Sequence, residues 1–468
     1  MMIKKQAALA LLVIANSLLP LRLNASARLP QTSKILATRC SPSSVAALSA
    51  LKLSSALVYS HDLLPRRQKK FVTSPPHYSW GLSEEALDGF LSKKSLSEVV
   101  AGAQRSHGPF QLIITGDESE EGIYQLAQLA AEQAIPCAFS RSQAQWASNK
   151  LAMKERLLEV FPDTQTADFV GLNSWPLSDE ITAKIASFGF PLVVKPTSKC
   201  GGEGVSIIHS QSELDHKFAA IKRMLGKNPH IVEEYIKGKT MRIDAVVAKG
   251  EVIAVYPAYY EENCLSFYID GVSTITSSDN SEAHQQRYRE LIERIVTAFA
   301  IENGVIHAEA IESNDDTLYF LETALRPGGD SEDKIYTYGA NMQQIFYQGQ
   351  LGIAADCSTI KTPSADKEWA RIDLVAPRQK KGECSCLTRL WTPNLELLAT
   401  PLTEFNCLFM PKAQVIPREA DTLGSLLFYG PKEQVAEEAH FVLRGINGHV
   451  QTFLAPEQRS KNWPLTKK

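Results

Sequence analysis

The sequence predicts an α/β domain followed by mixed α+β structure, and three observations carry that prediction. Short apolar strands alternate with longer amphipathic stretches over roughly the first 140 residues, the pattern of a parallel sheet with helices on both faces. From Ser148 the alternation gives way to strands and helices in mixed order. The length of 468 residues, at about 150 per domain, points to about three domains. The expected boundaries are 1–145 for an N-terminal α/β domain, 146–356 for a central α+β domain and 357–468 for a small C-terminal α+β domain.

The elements follow in order. Lys34-Ile35-Leu36-Ala37-Thr38 is an expected strand, residues 42–51 a small-residue helix and residues 56–59 a second strand. Residues 110–116 form a continuous apolar strand, and a helix over 121–134 places Leu126, Leu129 and Ala130 at helical spacing. Next comes a helix carrying Lys150 and Lys154. A linker with Pro and Asp then runs to about Pro176, and a helix over 178–187 leads into a strand at 191–195. A long helix over 281–300 puts Leu291, Ile292, Ile295 and Val296 on one face. Strands at 371–375, 413–416 and 423–429 and a helix over 432–444 complete the chain.

The start of the chain has two readings. Lys4 and Lys5 precede an apolar run over 7–19, and Ala25-Ser26-Ala27 mimics a small-residue cleavage site, as in a secretory signal peptide over residues 1–27. Alternatively residues 10–15 are a first buried strand entering a turn at Asn16-Ser17. The run is broken by Asn16 and Pro20 and is too short to span a bilayer, so no membrane partner is expected.

Composition excludes several classes. Hydrophobic residues make up 44% and charged residues 22%, ordinary globular usage. With 49 Lys+Arg against 52 Asp+Glu, no excess of basic charge is present for a nucleic-acid-binding face. Eight scattered cysteines do not make a disulfide scaffold, and Cys384 and Cys386 lack the two-residue gap of a zinc knuckle.

Three segments carry chemistry. In the first, Leu192-Val193-Val194-Lys195-Pro196 is followed by Gly201-Gly202-Glu203-Gly204 and a return strand from Val205 to Ile208. Glycines admit positive φ and close backbone approach. Successive free amides beside a lysine then make a concavity for a polyphosphate. An ordinary glycine-rich hairpin turn reads the same way in isolation. The second segment, Ile231-Val232-Glu233-Glu234-Tyr235-Ile236, is a strand ending in an acidic pair. Its backbone and a carboxylate suit an adenine edge, and the bland alternative is the end of an edge strand.

The third segment joins Gly304-Val305-Ile306-His307-Ala308-Glu309-Ala310-Ile311-Glu312 to Leu318-Tyr319-Phe320-Leu321-Glu322 through a turn at Ser313-Asn314-Asp315-Asp316. With Glu312 paired to Thr317, Glu309 falls opposite Phe320 and Glu322 becomes its diagonal neighbour, about 7–8 Å away. His307 shares that face. Two carboxylates converging among apolar neighbours are costly unless a cation compensates, and oxygen ligands of this kind suit magnesium.

This ordered set resembles the ATP-grasp superfamily, and within it the carboxylate–amine ligases. The motifs are Asn149-Lys150, Val193-Val194-Lys195-Pro196, the turn at 201–204, Glu233-Glu234-Tyr235-Ile236, His307-Ala308-Glu309 and Glu322-Thr323-Ala324-Leu325-Arg326-Pro327-Gly328-Gly329, covering roughly residues 149–351. The resemblance implies an ATP-grasp fold with a pre-ATP-grasp N-terminal domain and a flexible lid at about 188–236. It implies that Lys150 and Lys195 hold ATP phosphates under Gly201, Gly202 and Gly204, and that Glu233, Glu234, Tyr235 and Ile236 form the adenine hinge. Glu309 and Glu322 would ligate Mg2+ or Mn2+, and Arg326, with Lys195, would act at the transferred phosphoryl group. Two positions depart from the family pattern: Thr240 stands where a ribose-contacting Glu is common, and Ala324 where a third metal ligand is often Asn.

What the resemblance implies functionally is an ATP-dependent ligase that converts a carboxylate to an acyl phosphate and joins it to an amine. Its partners would be small-molecule carboxylate and amine substrates, and a homodimer is left open. A carboxyphosphate-forming carboxylase and a non-catalytic ATP-binding protein are the alternatives. Since ATP is plentiful in cytosol, the expectation is a cytoplasmic protein with a strand at residues 10–15, the exported alternative standing if residues 1–27 are a signal peptide. Arg242 and His307 are secondary candidates, for a substrate carboxylate and for orienting a ligand, each set against an exposed strand arginine and a core histidine. Substrate choice is expected to lie in the N-terminal domain and in a variable loop about 259–276.

Overall fold

The computed structural model describes residues 34–38, 48, 51, 56–60, 78–80, 97–98, 100–102, 104–105, 109–116, 119–262, 274–329, 333–356, 358, 360–364, 366–375, 383–387, 397–398, 422–447 and 450–454. The strand expected at 10–15, that at 413–416, most of the helix expected at 42–51 and the greater part of the loop at 259–276 lie outside the described residues.

The first sheet is parallel. Strands β1 (Lys34–Thr38), β2 (Ala56–Ser60), β3 (Tyr78–Trp80) and β4 (Leu112–Thr115) lie in the order β3-β2-β1-β4. Alternating residues of β1 and β4 go to opposite faces. Ile35, Ala37, Leu112 and Ile114 share one core cluster with Phe346 and Tyr347, whereas Leu36 and Ile113 share another with Leu126, Leu129 and Ala130 of helix α1 (Glu120–Glu132). A sheet buried on both faces explains why these strands read as continuous apolar runs. Helix α2 (Arg141–Trp146) opens with a capping box in which Ser140 and Gln143 satisfy each other's backbone amides.

Helix α3 (Lys150–Val160) begins where Asn149 Oδ1 accepts from the amides of Leu151 and Ala152, both at 3.1 Å. The segment expected to be a linker up to Pro176 contains a strand, β5 (Phe169–Leu172). Its two-residue apolar core beside Gly171 is too short to stand out in sequence, and pairing with residues 230–233 creates it. Helix α4 (Asp179–Phe188), strands β6 (Leu192–Pro196) and β7 (Ser206–Ile208), helix α5 (Gln211–Ile221) and strand β8 (His230–Glu234) complete an antiparallel sheet ordered β5-β8-β6-β7. Leu172, Leu192, Val194 and Val232 of this sheet bury against Ile185, Leu214 and Phe218 of the two helices.

A larger antiparallel sheet follows. It contains β9 (Gly238–Ala248), β10 (Glu251–Tyr260), β11 (Thr274–Ser278), β12 (Asn303–Ser313), β13 (Leu318–Ala324), β14 (Lys367–Val375), β16 (Leu397–Leu398) and β17 (Thr422–Pro431), in the order β13-β12-β9-β10-β11-β14-β17-β16. Helix α6 (Glu282–Ala298) covers one face through Tyr288, Leu291, Ile292 and Ile295, packed on Met241, Ile243, Ala245 and Val247. Residue 356 falls between β12 and β14, which belong to this one sheet through β11. Strands β15 (Glu383–Leu387) and β18 (Val450–Leu454) pair with each other, and helices α7 (Asp333–Tyr338), α8 (Met342–Gln350) and α9 (Lys432–Asn447) complete the described elements.

The β12–β13 register differs from the expected one. Glu312 pairs with Leu318, because Thr317 belongs to the turn, and an irregularity between Glu309 and Ala310 skips Leu321. Glu309 therefore stands directly opposite Glu322, where a diagonal was expected.

Candidate active site

The two antiparallel sheets face each other across a cleft, and the segment before β5 ties them together. The Phe320 amide donates to Gln165 O, and the Glu234 amide to Asp168 O, both at 2.9 Å. Between the sheets lies a cavity of about 500 Å3. Lys150, Lys195, Gly201, Gly202, the hinge residues Glu233, Glu234, Tyr235 and Ile236, the carboxylates Glu309 and Glu322, and Arg326 all line it. Gly204 is the exception among the expected residues. It underlies the turn, where a Cβ would meet Pro196 Cγ at 2.8 Å.

The floor under the turn is built of buried charge. Glu233 is 2% exposed and lies between two lysines, with Oε1 3.0 Å from Lys154 Nζ and Oε2 2.6 Å from Lys195 Nζ. Burial alone would raise the Glu233 carboxyl, but the two ammonium groups outweigh it and hold the group down to about 2. Burial pulls the Lys154 ammonium below its ordinary value in spite of Glu233. The Glu233 carboxylate is thus held between the two lysines, on the inward face of β8. Of the hinge, Glu234 is the exposed acid.

Above this floor Gly201, Gly202 and Gly204 have φ of 60°, 73° and 75°, so three left-handed residues crowd into one turn, a backbone of the kind that can gather amides around an anion. Lys150 Nζ reaches the Lys199 carbonyl at 2.5 Å and Glu322 Oε2 at 2.9 Å. Burial works against the Lys150 ammonium, but Glu322, with Glu120 and Glu309, keeps it above its ordinary value.

On the larger sheet, Glu309 is flanked in register by Glu322 on one side and Arg242 on the other. His307 Nε2 stands 3.7 Å from Glu309 Oε1, while His307 Nδ1 is 2.8 Å from Asp244 Oδ1 and Asp244 Oδ2 is 2.9 Å from Lys334 Nζ. Burial of Glu309 opposes its ionisation, yet the hydrogen bond and charge of His307, with Arg242 and Lys150, keep its carboxyl below the usual range. Arg326 Nη2 contacts Oε1 of Glu120, the first residue of α1, at 2.5 Å, so helix α1 braces a residue of the cavity wall.

Glu309 and Glu322 suit a hard divalent cation: two carboxylate donors on adjacent strands, with lysines nearby for the phosphates it would share. Among the described residues no cluster of three His, Cys, Asp or Glu side chains forms a metal cage. Magnesium bound by one or two carboxylates and otherwise by water and phosphate fits that donor set.

Sequence reasoning missed Lys154, Asp244, Lys334 and Glu120 as parts of the site. Lys154 had a local signal, since it lies four residues after Lys150 on one helix face. Asp244 had another, at strand spacing from Arg242. Glu120 and Lys334 arrive through tertiary contact alone.

A lysine-floored sheet closing over a carboxylate-bearing sheet, with a glycine turn between, defines the ATP-grasp fold, and this chain has it. Residues 188–333 match the family model described as an ATP-grasp domain. Among solved structures the chain is similar to the L-amino acid ligase from Bacillus licheniformis, with a TM-score of 0.62 and 15% identity over 90% of this chain and 99% of that one. It is also similar to N5-carboxyaminoimidazole synthase from Aspergillus clavatus, solved with ADP and 5-aminoimidazole ribonucleotide, at a TM-score of 0.61 and 15% identity over 89% of this chain and 100% of that one. In sequence it is 29% identical to the L-arginine-specific L-amino acid ligase of Bacillus subtilis over 194 residues, 40% of this chain and 45% of that protein. It is 24% identical to the carbamoyl phosphate synthase large chain of Clostridium botulinum over 171 residues, 36% of this chain and 16% of that protein. The match therefore spans less than half the length of either relative. Among the described residues no helix is long and apolar enough to cross a membrane.

Proposed function

We propose that the chain is an ATP-dependent carboxylate–amine ligase, with ATP and Mg2+, or Mn2+, in the cleft. The observation that carries this reading is the direct pairing of Glu309 with Glu322 in a cavity that also contains Lys150, Lys195 and the glycine turn. A bound divalent ion would supply charge neutralisation for the triphosphate, held by those two carboxylates.

The chain's own residues then position and neutralise. Lys195, fixed by Glu233, and Lys150 take phosphate oxygens, and the amides at Gly201 and Gly202 close over them. The backbone of residues 234–236 offers the adenine edge its donors and acceptors. A substrate carboxylate oxygen attacks the γ-phosphorus, ADP departs, and Arg326 holds the transferred group. The amine nitrogen then attacks the acyl carbon, loses a proton, and phosphate leaves. Positioning and electrostatic neutralisation dominate such a transfer. A lid at about 188–236 that excludes water would protect the acyl phosphate from hydrolysis. In this reading the ATP-grasp segment 146–356 carries the chemistry between the flanking segments 1–145 and 357–468.

A phosphate-release screen over small carboxylic acids and amino-acid pairs, with ATP and Mg2+, tests the proposal. Release is expected only when a carboxylate and an amine are both present, and Glu309→Gln and Glu322→Gln should each lower it at least about a hundredfold. Bicarbonate-dependent release with no carboxylate requirement, or full activity in both variants, would contradict it.

A further inference from the structure

The cavity does not end at the ATP-grasp segment. It runs on across the sheet, and its far wall is formed by Tyr260, Thr274, Arg371 and Asp373. Arg371 and Asp373 belong to β14, beyond residue 333, where the family match stops. In register, Thr276 pairs with Arg371 and Thr274 with Asp373, so these side chains emerge on the sheet face that opposes the lid. Successive rows on that face carry Glu309 and Arg242 first, and Tyr260 and Arg371 next.

The far wall is chemically distinct. Arg371 Nε donates to Asp373 Oδ1 at 2.8 Å, and the two side chains are only 15% and 17% exposed. The Arg242 guanidinium lies 5.3 Å from the centre of the Tyr260 ring, leaning from the carboxylate row toward β14. At this end two guanidinium groups face the cavity, Arg242 in the row of Glu309 and Arg371 beside Asp373. Partly desolvated arginine held in place by a carboxylate is suited to receive a planar anion in bidentate fashion. Between Arg242 on β9 and Arg371 on β14 lie two strands, roughly 14 Å at the backbone. Two long arginine side chains narrow that span to the room of a small bifunctional molecule.

We propose that β14 forms the specificity wall of the site: Arg371, oriented by Asp373, takes a carboxylate of the amine-bearing substrate, which makes that substrate an amino acid whose own carboxylate stays unreacted. This inference rests on the ligase reading and adds to it which substrate carries the second charged group and which residues read it. The amine then points back along the sheet toward Arg242 and Glu309, where the acyl phosphate forms.

The test measures thermal midpoints of the full chain with Mg–ADP, and then with Mg–ADP plus each of the common L-amino acids or the matching L-amino acid carboxamide. Mg–ADP alone should raise the midpoint, at least one amino acid should raise it further, and its carboxamide should not. Arg371→Gln should weaken the amino-acid response about tenfold or more in half-saturating concentration while keeping the Mg–ADP response. Arg371→Lys, which preserves the charge but loses the fork, should weaken it less and serves if the glutamine variant does not fold. Equal responses to amino acids and carboxamides, an unchanged Arg371→Gln, or no amino-acid response in a protein that binds Mg–ADP would overturn the inference alone. Absence of any Mg–ADP response would overturn the ligase reading and this inference with it.

Discussion

Glu233 shows how a single residue's role depends on where its side chain points. Adjacent to an exposed acid at the end of an apolar strand, it reads as a hinge group; in the fold it is the anion that keeps two buried lysines together. Its carboxyl is held at about 2 against an ordinary 4.5, so its contribution to stability is complete above about 4.5 and is lost as pH falls toward 2. That shift corresponds to roughly 3 kcal/mol. Glu233→Gln is therefore expected to unfold in urea about 3 kcal/mol more easily than the parent at pH 6. The gap should narrow below about pH 4.5 and close only as pH falls to about 2. A gap independent of pH would mean that Lys154 and Lys195 do not depend on the Glu233 charge. The lysine at 195 and the acid at 309 were legible because each ends or interrupts an apolar strand. Lys154 was not, since a charged residue on a helix is ordinarily solvated and only packing against Phe169 and Glu233 buries it.

At the scale of elements, the strand-turn-strand unit around residues 303–324 was legible in outline and displaced in register. Alternation of apolar and polar residues placed Glu309 and Glu322 on one face, which is independent of small shifts by two, whereas the bulge at Leu321 lies on β13 beside Phe320, whose amide donates to Gln165 O, a contact distant in sequence. The loop after β13 completes the site because Gly328 passes over the end of the sheet. A Cβ there would lie 2.8 Å from His307 Nδ1 and 2.9 Å from Asp244 Oδ1. Gly328→Ala is expected to cost about 1–3 kcal/mol by forcing that buried pair apart. Gly329→Ala, where no atom lies within 4 Å, should stay within about 0.5 kcal/mol of the parent. Urea unfolding of the two variants checks this; equal stabilities would show that the loop yields freely.

Across the whole molecule, the parallel N-terminal sheet shares an apolar core with the larger antiparallel sheet, and polar contacts among the described residues reinforce the junction. Arg326 meets Glu120, and the Gln350 side chain both accepts from the Thr115 amide and donates to the Thr115 carbonyl, each at 2.9 Å. Thr115 ends β4, the last strand of the described sheet, and Gln350 continues on its outer side the pairing that Ile113 makes with Pro136. Gln350→Leu removes that pairing from buried backbone groups at a cost of about 2–4 kcal/mol, and amide exchange at Thr115 should quicken at least about tenfold; unchanged exchange would place the junction elsewhere. Alternating strands and helices predicted the first sheet, but nothing local foretold that strands before and after residue 356 would share the second. The most direct test of the central assignment is the electron paramagnetic resonance of Mn2+ titrated into the protein with ADP. The parent chain should sequester Mn2+ with the nucleotide, and the Glu309→Gln/Glu322→Gln double variant should leave the free-ion signal at its protein-free intensity. Undiminished sequestration by the double variant would contradict the account.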